Sequence, residues 1–220
     1  MAYTVVGSAV SPFVRKTLVF LHEKGIDHEV ENLNPYAPPE GFREISPLGK
    51  IPVLRHDDRV IHDSSIICRY LERLHPDPAF YPEAPESAAH AEWLEEYVDG
   101  GLQPVASRVF QPLVLLPLLS GEPADEAEPL RVADEELPPF CDYLDAQLGD
   151  REWYVEDRMS IADLSVASIF VNLRLAGVAP DAVRWPRLRG FLQRMHARDS
   201  FTAVIDPVVA LMGKRWISID

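Results

Sequence analysis

Proline punctuates this chain most densely between residues 76 and 85, where Pro76, Pro78, Pro82 and Pro85 fall within ten positions. Each fixes φ and removes a backbone donor, so the stretch can neither continue a helix nor lie inside a sheet. The patterns on its two sides differ in period. Before it, short alternating apolar runs mix with helical ones; after it, almost everything repeats at helical spacing. The expected organisation is an α/β domain over residues 1–77, a linker over 78–85, and an all-α domain over 86–220.

In the first part, residues 3–7 read as a strand with Val5 and Val6 at its centre. Pro12 opens a helix whose Val14, Leu18 and Leu21 share one face, and Lys24-Gly25 closes it. Residues 27–33 read as a second strand, 34–40 as irregular and 41–45 as one helical turn. Residues 53–55 and 59–62 read as strands joined across 56–58. Asp63-Ser64-Ser65 then starts a helix to about residue 75, with Ile66, Ile67, Tyr70, Leu71 and Leu74 as its buried stripe. This is a βαβ-ββα order. In the second part, residues 86–119 form a long helix bent or broken at Pro104 and Pro112. Residues 130–148 form a second helix, disturbed at Pro138 and Pro139. Residues 160–175, strongly apolar, form a central third, and 185–197 and 201–212 complete the set.

The chain has 220 residues and a net charge of −14. A surface so acidic repels nucleic acid and anionic membranes. No apolar run approaches the roughly 18 residues that a span requires, and the first residues lack the basic flank and apolar run of a signal peptide. The two cysteines, Cys68 and Cys141, and the seven histidines form no metal-ligand spacing. The expectation is therefore no metal, a reducing compartment and a cytoplasmic location.

Three short stretches carry the chemistry. Ser11 stands at the mouth of the first helix, where it either caps the helix or donates its hydroxyl to a bound anion such as a thiolate. Ile51-Pro52 precedes a strand; a cis bond there turns the Ile51 backbone outward to pair with a peptide. Asp63-Ser64 either caps its helix or clamps an amino-acid head group, Asp63 taking the ammonium and Ser64 the carboxylate.

Ser11-Pro12-Phe13, Gly49-Lys50-Ile51-Pro52-Val53-Leu54 and Asp63-Ser64-Ser65-Ile66-Ile67 occur in the order and at the spacing of the N-terminal domain of cytosolic glutathione transferases, which this chain resembles over essentially its whole length. The resemblance implies a thioredoxin-like N-terminal domain followed by the family's all-helical C-terminal domain. Ser11 makes it most similar to the serine-type branch, which includes the plant tau class and bacterial relatives. It implies glutathione as co-substrate, bound by Lys50, Ile51, Pro52, Asp63 and Ser64, with the sulfur near Ser11 and no metal. Ser8 is the rival hydroxyl. Arg15 either adds positive potential at the helix mouth or is solvated. Val10, Phe110 and Trp216 are candidates for a second-substrate pocket, with core or plain surface as the alternative for each. The implied partners are a small electrophile and a second copy of the chain.

Asp63 is shorter than the Glu or Gln of many relatives. No cysteine stands at position 8 or 11, against the thiol-transfer branch, and Ala9-Val10-Ser11-Pro12 replaces the Ser-Ser-Cys-Ser of the maleylacetoacetate isomerase branch. Ser160-Ile161-Ala162-Asp163 is similar to the family's N-capping box and is read as serving folding. Glutathione transfer is the leading expectation; a glutathione-dependent disulfide or peroxide reductase, an isomerase and a non-catalytic binding module are the alternatives.

Overall fold

The computed structural model describes residues 2–219. The chain divides into two compact units, with the division between Tyr81 and Pro82.

The first unit runs β1 (Tyr3–Val6), α1 (Pro12–Glu23), β2 (Glu29–Glu31), α2 (Phe42–Ile45), β3 (Val53–His56), β4 (Arg59–His62) and α3 (Ser64–Leu74). The sheet order is β2-β1-β3-β4, with β1 and β2 parallel and the other pairs antiparallel. Val5, Val6, Val53 and Leu54 are buried in the sheet. Val14, Leu18 and Leu21 of α1 are buried as their spacing predicts. The strand expected over 27–33 contracts to Glu29–Glu31, an exposed edge.

The α3 stripe is rotated from expectation. Ser64, Ile67, Cys68 and Leu71 are buried, while Ile66 and Leu74 are exposed. These four fall at i, i+3, i+4 and i+7, so the small serine and cysteine complete the face that two larger aliphatics were expected to fill.

Residues 75–80 are tied to this unit. The Lys24 ammonium donates to the carbonyls of His75 (2.6 Å) and Pro78 (2.7 Å) and pairs with Glu72 at 2.8 Å. The Phe80 ring lies 5.2 Å from that of Phe20.

The second unit is helical. Residues 85–120 form one unbroken run: α4 (Pro85–Glu96), a π-helical turn (Tyr97–Leu102), α5 (Gln103–Phe110), a second π-helical turn (Gln111–Leu115) and α6 (Leu116–Ser120). Pro104 and Pro112 therefore do not break it. A proline ring clashes with the carbonyl four residues back, and widening the turn relieves the clash. The Gln103 N–H bonds Val98 and the Leu116 N–H bonds Gln111, each five residues back. Contrary to expectation, this run is long and apolar enough to span a membrane by length and composition alone. Its apolar content is split by Gly and Pro, which hides it from a search for an uninterrupted run. Val98, Leu102, Ala106, Val109 and Leu113 are buried.

The single helix expected over 130–148 is two, α7 (Ala127–Glu135) and α8 (Pro138–Leu148). The disturbance expected at Pro138 and Pro139 is a full break, after which Pro138 opens a new helix, where its missing N–H is needed by nothing at the first position,. Next come α9 (Ile161–Leu175), α10 (Pro186–His196) and α11 (Asp199–Met212). Every residue of α9 is buried, and it packs against α4, α5, α10 and α11. The architecture is a thioredoxin-like α/β unit followed by an all-helical one, as expected.

Candidate functional site

Topology gathers the three marked stretches at one end of the sheet. Val6, the last residue of β1, pairs with Val53, the first of β3, and Val53 pairs with His62, the last of β4. The loop into α1, the Ile51-Pro52 step and the start of α3 therefore emerge side by side. Gly7 shows how tightly they meet. A Cβ there would lie 2.7 Å from Cγ2 of Val14 and 3.2 Å from Cβ of Ile51.

Ser11 is the N-cap of α1, half-buried, its Oγ accepting from the Val14 N–H at 3.5 Å. Both the capping and the donating reading are compatible with this, because a hydroxyl accepts through lone pairs and keeps one hydrogen to give. Among the described residues, that hydrogen has no protein acceptor. Ser8 is placed similarly. Its Oγ accepts from the Val10 N–H at 3.5 Å and its carbonyl accepts from the Ser11 N–H at 2.9 Å. Val10 is half-buried on the same loop.

Arg15 is not solvated. It is fully buried, and its Nη2 donates to the carbonyls of Ala9 (3.0 Å) and Val10 (3.3 Å). Burial disfavours its charge and pulls its pKa down to about 9,.

The Ile51-Pro52 bond is cis. Neither the N–H nor the C=O of Ile51 has a partner among the described residues. The loop before it is set by Ser46, which the sequence reading passed over. Its buried Oγ accepts from the Lys50 N–H at 3.0 Å and donates to the Lys50 carbonyl at 2.7 Å. Gly49 turns between them at φ 66°, with its N–H on the Ser46 carbonyl. The Lys50 side chain is exposed. The Ser-Pro-Leu-Gly run was the available signal for this turn.

Asp63 is exposed and sits at φ 70°, a conformation that costs a side-chain-bearing residue roughly 1–3 kcal/mol,. Its Oδ1 accepts from the N–H groups of Ser65 (2.9 Å) and Ile66 (3.3 Å), so it is a true cap. The second carboxylate oxygen is left facing outward from these bonds. The Ile67 N–H goes to the Asp63 carbonyl. Of the first-turn donors of α3, the Ser64 N–H alone has no partner among the described residues, and Ser64 itself is buried.

Phe110 and Trp216 belong to the helical unit. Phe110 is buried at the end of α5, in keeping with its core alternative. The Trp216 ring lies under the Arg174 guanidinium at 3.8 Å, and Arg174 also donates to the Ile217 carbonyl at 3.1 Å. Both cysteines are buried and neither is in a disulfide; burial pushes the Cys141 thiol up to about 12. No group of three or more metal-ligating side chains occurs among the described residues.

The capping box of α9 is as read. The buried Asp163 carboxylate accepts from the Ser160 N–H and Oγ–H, both at 2.8 Å, and from the Tyr154 N–H at 3.0 Å.

A thioredoxin-like unit whose three marked stretches meet at the end of β1, followed by a helical unit, is the architecture that the family resemblance implies. Residues 10–74 match the profile for the N-terminal domain of glutathione S-transferases, and 113–205 that for the C-terminal domain. The chain is 31% identical to the uncharacterized GST-like protein YibF of Escherichia coli, over 92% of this chain and 98% of that one. It is 28% identical to glutathione S-transferase DHAR3 of Arabidopsis thaliana, over 87% of this chain and 67% of the relative. A glutathione S-transferase structure from Methylobacterium radiotolerans, a complex with glutathione sulfonate, is 26% identical with a TM-score of 0.75, over 93% of this chain and 95% of that one. The chain belongs to the glutathione S-transferase family.

Proposed function

We propose that this protein is a serine-type glutathione transferase, in which Ser11 stabilises the glutathione thiolate for attack on a small electrophile. The observation that carries the reading is the donor set at one end of the first unit: the uncommitted hydroxyl hydrogen of Ser11, the unpaired Ile51 backbone and the α3 N-terminus. Family membership and the related glutathione-sulfonate complex support glutathione as the ligand.

The γ-glutamyl ammonium meets the outward oxygen of Asp63, and its carboxylate meets the Ser64 N–H at the positive end of α3. The cysteinyl backbone pairs with Ile51, and the exposed Lys50 meets the glycyl carboxylate. The sulfur then lies at the mouth of α1. A thiol of pKa ~8.5 is only about 3% ionised at pH 7. Lowering it by about two units, ~2.7 kcal/mol, makes it about 75% thiolate. One hydroxyl donor and a helix N-terminus supply stabilisation of that size. Ser11 stabilises the nucleophile and is not itself one. Val10, half-buried on the loop into α1, is the candidate of the first unit to contact the electrophile. A homodimer and a cytoplasmic, reducing location complete the reading; two unbridged cysteines support the latter.

The second reading is a glutathione-dependent reductase. It is favoured by the likeness to the reductase-like DHAR3. The buried positions of Cys68 and Cys141 oppose a mixed-disulfide route through either,. Calorimetry with glutathione tests the shared premise, and absence of binding at millimolar ligand leaves a non-catalytic module. Assays with a chlorinated aromatic and with hydroxyethyl disulfide then separate transfer from reduction.

A further inference from the structure

Arg15 and Lys16 are consecutive cations on α1, and both are buried, at 0% and 1% exposure. Long cationic side chains are almost never buried unless their charge is engaged. Successive residues on a helix point about 100° apart, and these two reach different elements. Arg15 grips the Ala9 and Val10 carbonyls, the peptide units between the two serine hydroxyls. Lys16 donates from Nζ to Oγ of Ser65 at 3.1 Å. Ser65 gives its own N–H to Asp63, so Lys16 bears on the cap of α3.

The chemistry at the two ends differs. Carbonyl oxygens at the mouth of α1 would repel an anionic sulfur if they faced it. Held on the guanidinium, they are drawn to α1 and leave the Ser11 hydroxyl hydrogen to meet the ligand. At α3, a fixed Ser65 keeps Asp63 in its uncommon backbone conformation with one oxygen turned outward.

We propose that Arg15 and Lys16 are positioning residues that serve the two halves of glutathione separately, Arg15 setting the loop that ionises the thiol and Lys16 setting the helix start that takes the γ-glutamyl group. This rests on the glutathione reading above. Arg15 acts on the sulfur through the 8–11 loop and Lys16 on affinity through Ser65.

The test uses full-length Arg15→Met and Lys16→Met. Glutathione affinity is measured by calorimetry at about pH 5, where the thiol is protonated, and the pKa of the bound thiol by its thiolate absorbance. Arg15→Met is expected to raise the bound thiol pKa by about one unit, and kcat at neutral pH to fall about threefold as the thiolate fraction drops, with affinity at low pH within about twofold of wild type. Lys16→Met is expected to weaken affinity about tenfold, the size of one charge-assisted hydrogen bond, with the thiol pKa unchanged. Arg15→Lys and Lys16→Arg, which keep the charge, are expected to move in the same directions by less, and they carry the test if the methionine variants do not fold. Variants that shift affinity and thiol pKa together, or shift neither, overturn the division of labour. Wild-type protein that takes up no glutathione refutes the underlying reading instead.

Discussion

Asp163 poses a contest between two opposing effects that a single titration decides. Its carboxyl is buried, which raises the pKa, while the N–H groups of Tyr154 and Ser160 and the Ser160 hydroxyl pull it down,. Burial wins, and the pKa moves from 3.8 up to about 6. The folded state therefore binds the proton more tightly than the unfolded one, and stability falls as pH rises from about 4 through 6. The difference of about two units corresponds to ~3 kcal/mol lost by pH 7. Asp163→Asn removes this ionisation. It leaves one buried N–H facing an amide, at a cost of roughly 1–3 kcal/mol that does not vary with pH. Denaturant unfolding of both proteins between pH 4 and 8 isolates the group by difference. The advantage of wild type over variant should be greatest near pH 4 and shrink by ~3 kcal/mol towards pH 7. An advantage that grows with pH would mean the three hydrogen bonds outweigh burial, and would refute the reasoning.

Two further outcomes follow from packing and burial. Gly7→Ala places a methyl group 2.7 Å from Val14. It should lower stability by about 1–3 kcal/mol in thermal unfolding, and an unchanged midpoint would contradict the close approach. Cys68 and Cys141 should resist a water-soluble thiol reagent in the native protein and both react once it is unfolded, because both are buried and the Cys141 thiol is pushed up to about 12,. Rapid native labelling of either would reopen a cysteine-dependent mechanism.

The architecture was legible because its signals are local. The β-branched run Thr4-Val5-Val6, a proline at the first turn and Lys24-Gly25 mark β1 and α1 without reference to the rest of the chain,. Prolines misled where context decides their effect. Pro138 starts a helix, and Pro104 and Pro112 are absorbed by π-helical turns, outcomes that depend on which carbonyl lies behind each ring. The α3 face was misjudged because hydrophobicity favoured Ile66 and Leu74, whereas register at the sheet end turned Ser64 and Cys68 inward. At the site, Ser11, Ile51-Pro52 and Asp63-Ser64 were visible as caps and turns. The burial of Arg15 and Lys16 was not, since a cation on a helix is by default in water and only its tertiary partners bring it inside. Ser46 was hidden for a similar reason, as an ordinary turn serine whose two bonds appear only when the loop closes.

The central claim is that one hydroxyl at the mouth of α1 holds the sulfur of bound glutathione ionised. The direct measurement is the thiolate absorbance of the glutathione complex as a function of pH, in wild type and in Ser11→Ala. The account predicts a bound thiol pKa about two units below the free value of ~8.5 in wild type, and most of that shift lost in the variant while glutathione still binds. Titration curves that coincide in the two proteins would contradict it.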